Sequence, residues 1–212
     1  MAVRATDVTT TRLLLVRHGQ IAANLEKVWH GSTDSPLTPA GHAQARQVAE
    51  YLAGTRRTIQ GIYTSPLTRA RHTADPIAAA LSLPVHVAPG LAEYGIGELE
   101  GTSYPDLVGR HAFFEQAHGD LDWAPAGGES LRAVAERMLA AWHAIVATHP
   151  EGEVVVVTHG AALAAALATL LHDDPREWQR YHVRNASVSE LTLIPVALVD
   201  FDNVDHLRES PP

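Results

Sequence analysis

Hydrophobic positions in this chain fall into two kinds of run. Leu13–Val16 and the valines of Glu153–Thr158 are continuous apolar blocks bounded by polar residues. A block that is apolar on both faces marks a strand inside a sheet covered on both sides. Further strands are expected at Ile59–Tyr63, at Val85–Val87 and at the end of the chain. There Ser187–Ile194 and Ala197–Phe201 read as a hairpin around Pro195. The second kind of run repeats at helical spacing. Ala45, Val48, Ala49 and Leu52 keep it behind Thr38-Pro39, an N-cap and a first-turn proline, and Gly54 closes the helix. Leu131, Val134, Ala135, Met138, Leu139, Trp142, Ile145 and Val146 form the clearest stripe, and Gly127-Gly128-Glu129-Ser130 opens it. Helices are also expected over 66–81, bent or interrupted at Pro76, and over 161–172. The stretch 91–128 is rich in Gly, Pro and polar residues, with a weak helical patch over 107–116, and reads as an elaborated loop region. Strands alternating with helices predict one α/β domain, a three-layer αβα sandwich with a mostly parallel central sheet.

Composition removes several function classes. With no cysteine, thiolate nucleophiles, disulfides and Cys-held zinc or iron–sulfur centres are excluded. A net charge of −8 offers no global field for nucleic acid or an anionic membrane, so neither is expected as a partner. The opening residues hold no apolar leader, and the longest apolar run, 161–171, is too short to span a bilayer. A cytoplasmic location is the corresponding expectation.

Two apolar strands end alike, in Arg17-His18-Gly19 and in Thr158-His159-Gly160. In open α/β sheets ligands sit outside the carboxyl ends of the strands, so both histidines are expected in one crevice. The glycine after each lets the backbone turn sharply and approach a ligand. No His-Glu-x-x-His or comparable spacing is present, and neither a metal nor a cofactor is expected.

These strand ends belong to a longer series. Arg17-His18-Gly19-Gln20 is followed by Asn24, His30-Gly31 and Asp34-Ser-Pro-Leu-Thr-Pro-Ala-Gly41. Then come Ser65-Pro-Leu-Thr-Arg69-Ala, Leu91-Ala-Glu93 with Glu100-Gly101, Gly127-Gly-Glu-Ser130 and Thr158-His159-Gly160. In this order they resemble the histidine phosphatase superfamily, the phosphoglycerate mutase-like proteins, over most of the chain. The resemblance implies that fold for 1–212, with 94–126 as a lid or specificity insertion supplying Tyr94, Tyr104, Phe113, Phe114 and Trp123.

It also implies roles. His18 is the nucleophile that forms a phosphohistidine, and Arg17 and Arg69 carry the charge of the transferring group. His159 is a second phosphate ligand. Glu93 is the proton donor to the leaving oxygen and later the base for water, with Glu98 and Glu100 as nearby competitors. Gln20, Asn24, His30, Gly31 and Gly160 complete the phosphate pocket. The chemistry accounts for these residue types. Phosphoryl transfer spreads negative charge over the equatorial oxygens, which planar guanidinium forks match. One departure stands out: many members carry Thr or Ser where this chain has Ile21.

The expected activity is hydrolysis of a small phosphomonoester. The segment from Glu93 to His159 is shorter than cofactor-dependent mutases imply. A mutase-type phosphotransferase is the alternative, and an inactive phospholigand-binding module a second. The apolar strand at 197–201 offers an edge for pairing into a homodimer.

Overall fold

The computed structural model describes residues 10–208, so the start of the chain, read above for a leader, lies outside them. A six-stranded sheet forms the middle layer. Its strands are β1 (Arg12–Arg17), β2 (Ile59–Thr64), β3 (Val85–Val87), β4 (Glu153–Thr158), β5 (Val188–Leu193) and β6 (Val196–Asn203), in the order β3-β2-β4-β1-β5-β6. The first four are mutually parallel, whereas β5 runs antiparallel to β1 and β6 antiparallel to β5. Helices cover both faces, as the unbroken apolar runs of β1 and β4 require.

Alternation along the strands decides which side chain meets which layer. Leu14 and Val16 of β1 and Val155 and Val157 of β4 face α2 (Pro39–Gly54) and α3 (Thr68–Leu81). Leu13, Leu15, Val154 and Val156 face the opposite way, toward α6 (Leu131–Thr148) and α7 (Gly160–His172). The caps read from the sequence are in place. Thr38 Oγ1 accepts from Gly41 N at 3.0 Å and Ser130 Oγ from Ala133 N at 3.2 Å. Each such cap satisfies an orphan amide and contributes about 1 kcal/mol.

Three local expectations are corrected. Helix α3 starts at Thr68, two residues later than expected, and runs through Pro76 to Leu81 without interruption. The patch expected over 107–116 is two short helices, α4 (Tyr104–Gly109) and α5 (Phe113–Gly119), parted where Ala112 adopts φ 45°. Two further pieces carried too little periodicity to be foreseen: α1 (Ala22–Glu26) and a 3₁₀ segment, Pro175–Tyr181, that packs on α7. No helix among the described residues is long and apolar enough to cross a membrane.

Candidate active site

Strands β1 and β4 are neighbours in register, Arg17 opposite Thr158, so the residues that follow leave the sheet side by side. His18 N donates to Thr158 O at 3.0 Å, and the His18 and His159 rings lie 5.0 Å apart between centroids. Both side chains are buried. Their surroundings assign complementary tautomers. His18 Nδ1 stands 2.7 Å from Gly19 O, which can only accept, so Nδ1 carries the proton. Nε2 keeps its lone pair and has no protein partner among the described residues. At His159, Arg69 Nε donates to Nδ1 at 3.2 Å, and Nε2 therefore donates to Ser65 Oγ at 2.7 Å. Burial, followed by Arg69 and other nearby positive charge, holds both imidazoles well below their usual pKa. Each is a neutral ring at neutral pH, as a nitrogen nucleophile must be.

That neutrality carries a stability consequence. As pH falls below about 6.5, the unfolded chain takes up protons that folded His18 and His159 refuse. Stability is therefore present above that pH and is lost as pH falls toward the lowered folded values. Each group contributes a slope of about 1.4 kcal/mol per pH unit. Urea unfolding at pH 7.5, 6 and 5 should show this decline, and His159→Gln should remove about one proton's worth of slope. Equal stability from pH 7.5 to 5 would contradict the assignment.

The two arginines stand in different places. Arg17 lines a cleft of about 730 Å³ at the carboxyl end of the sheet, together with His18, Asn24, His30, Glu93 and Gly160. One of its terminal nitrogens donates to Val183 O, while its Nε is buried with no partner. Arg69 is fully buried beside His159. Its Nη1 donates to Thr33 O at 2.7 Å, and its Nη2 to His30 O at 3.0 Å and Gly31 O at 2.7 Å. Arg69, His159, Gln20 and Gly31 do not reach the cleft wall.

Gly31 serves as a close approach: a Cβ there would stand 2.1 Å from Tyr94 O. The far side of the 30–33 loop is held by Glu100, which accepts from the amides of Gly31, Ser32, Thr33 and Ile96. Burial alone would raise Glu100, but these donors win and hold it below its usual value. Glu98 is exposed and away from the cleft, so Glu93 alone of the three faces it. Gln20 accepts from Thr38 Oγ1 at 3.0 Å through Oε1 and thereby ties the first strand's exit to the start of α2.

Glu93 meets the N-terminus of α7. Its oxygens accept from Ala162 N at 2.8 Å, Ala161 N at 3.2 Å and Tyr94 N at 2.8 Å. A carboxylate there also faces the positive end of the helix. Arg137 holds the chain leading to it by donating to the carbonyls of Gly90, Ala92 and Glu93. Glu129 of the Gly-Gly-Glu-Ser stretch pairs with Arg137 at 2.6 Å, which gives that motif a structural purpose. Asn24 Oδ1 accepts from Ile21 N and from Asn185 Nδ2, both at 3.0 Å, and Asn185 Nδ2 also donates to His18 O at 3.1 Å. Asn185 and Arg137 stand in no motif read from the sequence, and only their partners disclose them. Ile21 is buried, and its aliphatic side chain lines the cleft beside Asn24. Among the described residues no group of three or more His, Asp or Glu is placed to hold a metal ion.

The sequence model of the histidine phosphatase superfamily (branch 1) matches residues 13–196. The chain belongs to that superfamily. It is 34% identical over 182 residues to the probable phosphoglycerate mutase GpmB of Cronobacter sakazakii, covering 85% of this chain and 84% of that one. Among solved structures, the mycobacterial glucosyl-3-phosphoglycerate phosphatase matches with a TM-score of 0.79 and 31% identity, over 91% of this chain and 99% of that one. The phosphoserine phosphatase of Entamoeba histolytica gives 0.83 and 28%, over 93% and 100%. The fold described above, a mixed but mostly parallel six-stranded sheet between helices, matches the folds of these two solved structures.

Proposed function

We propose that the chain hydrolyses a small phosphomonoester through a phosphohistidine on His18. One observation carries this reading: the free Nε2 of a neutral, buried His18 shares the cleft with the Arg17 guanidinium and the Glu93 carboxyl. In the first step Nε2 attacks phosphorus and the bond to the ester oxygen breaks, with Glu93 relaying to that oxygen the proton that the phosphomonoester monoanion brings. In the second, Glu93 takes a proton from water, whose oxygen attacks phosphorus and breaks the bond to Nε2. The alcohol and then phosphate depart, phosphate taking that proton back, and Glu93 ends as the carboxylate it began. Arg17, with its unpartnered Nε, supports the charge on the phosphoryl oxygens, and Asn24 is held against the same wall by Asn185. His159 and Arg69 act from behind, one as a neutral neighbour of His18 and the other as the anchor of the 30–33 loop.

Water as acceptor is favoured over a second substrate oxygen by the charge of the cleft. A mutase must retain a bisphosphate, yet Arg17 is the single Lys or Arg on the lining, against Glu93 and Glu115. The phosphatase names of the two structural neighbours point the same way. The test is a panel of phosphomonoesters scored for free phosphate, with 3-phosphoglycerate plus 2,3-bisphosphoglycerate scored for isomerisation. Release of phosphate that depends on His18 is expected. Isomerisation without net release would give the reaction to the mutase.

A further inference from the structure

Beyond the phosphate end, the cleft is walled by rings. Trp29 lies 5.6 Å from Tyr104 and 6.2 Å from Trp178 between centroids, and Phe114 stacks on Trp178 at 5.9 Å. The polar handles of both indoles point elsewhere. Trp29 Nε1 donates to Tyr94 O at 3.1 Å and Trp178 Nε1 to His118 Nε2 at 3.2 Å, so the small part of each buried indole that lines the cleft is hydrocarbon. Val108 extends this wall toward solvent. The charged group on this half is Glu115, which forms no ion pair among the described residues. A second acid on a substrate would thus meet a mostly apolar wall and a carboxylate, with Gln179 and His182 as further polar groups on the lining but no guanidinium or ammonium on this half. An acid desolvated without a partner binds poorly, whereas an aromatic body gains from each ring it covers.

We infer that the alcohol released here is apolar or aromatic and bears no second acidic group, an inference that rests on the hydrolytic reading above. The size agrees, since a cleft of about 730 Å³ holds far more than a phosphate. The substrate class therefore differs from the phosphoglycerate and phosphoserine types in the names of the structural neighbours. Differences of this sort arise at the walls, while the phosphate end stays the same.

The experiment compares kcat/KM for 2-phenylethyl phosphate, glycerol 1-phosphate and 3-phosphoglycerate. All three leave as primary alkyl alcohols, so a preference reports the wall and not the leaving group. The phenylethyl ester should exceed glycerol 1-phosphate about tenfold and 3-phosphoglycerate by more. Phe114→Ala should cut the phenylethyl-to-glycerol ratio by about tenfold. Glu115→Lys, at an exposed position, should raise kcat/KM for 3-phosphoglycerate by about tenfold. Turnover of 3-phosphoglycerate at or above the phenylethyl ester would overturn the inference and leave hydrolysis standing, as would an unchanged ratio in Phe114→Ala. Isomerisation without phosphate release would overturn both.

Discussion

His18→Ala is expected to fold as the parent does and to lose turnover by at least about 10⁴-fold. In the proposed mechanism the loss is large because Nε2 accepts the phosphoryl group, and no other lone pair stands in its place. His159, 5.0 Å away, has its Nε2 proton on Ser65 and its Nδ1 covered by Arg69, so neither nitrogen is available to attack. The fold survives because what holds this corner is backbone. His18 N and O bond to Thr158 O and Asn185 Nδ2, and Gly19 N to Thr73 Oγ1, so the imidazole adds a single bond, from Nδ1 to Gly19 O. Unfolding curves alongside steady-state rates separate the two effects. A variant that keeps a tenth of the parental rate would remove His18 from the reaction.

Arg69→Leu has a different signature. The guanidinium is fully buried, and its donors satisfy the carbonyls of His30, Gly31 and Thr33 as well as His159 Nδ1. Leucine fills part of the volume but leaves three carbonyls without donors, at a cost on the order of 3–5 kcal/mol. Stability then falls, and the 30–33 loop, cross-braced by Glu100 from the other side, loses half its support. Lysine cannot substitute, since an ammonium has one nitrogen and the three carbonyls and the imidazole need a planar fork. The check is chemical denaturation of Arg69→Leu and Arg69→Lys at pH 7.5. Parental stability with lost activity would instead make Arg69 a phosphate ligand with no structural part.

Those two residues also show how far the primary structure could be read. The strand ends were legible because a continuous apolar block followed by His-Gly has few alternatives, and the caps at Thr38 and Ser130 were legible because capping is local. Arg69 was identifiable by its motif, but its direction was not. The carbonyls it meets come from a loop that folds back from β1, with no periodicity to announce it. The same holds for Asn185 and Arg137, ordinary polar residues until tertiary structure brings His18, Asn24 and Glu93 to them. In the 94–126 segment, Tyr104 and Phe114 line the cleft, while Tyr94 and Phe113 are fully buried and Trp123 packs on the core. Adjacent positions on a helix diverge in direction, and two neighbouring phenylalanines cannot be told apart without a partner surface. Trp29 and Trp178 complete the aromatic wall from α1's exit and from the 3₁₀ segment after α7, two stretches with no repeating pattern to mark them.

The most direct test of the account is to trap the covalent intermediate. The protein is mixed with a turned-over phosphomonoester, quenched in base within a single turnover and digested, and the phosphorylated peptide is located by mass. Phosphoryl attached to the peptide carrying His18, stable in base and lost in acid, is the predicted result. Phosphate released with no adduct on any peptide, or an adduct on a residue other than His18, would contradict it.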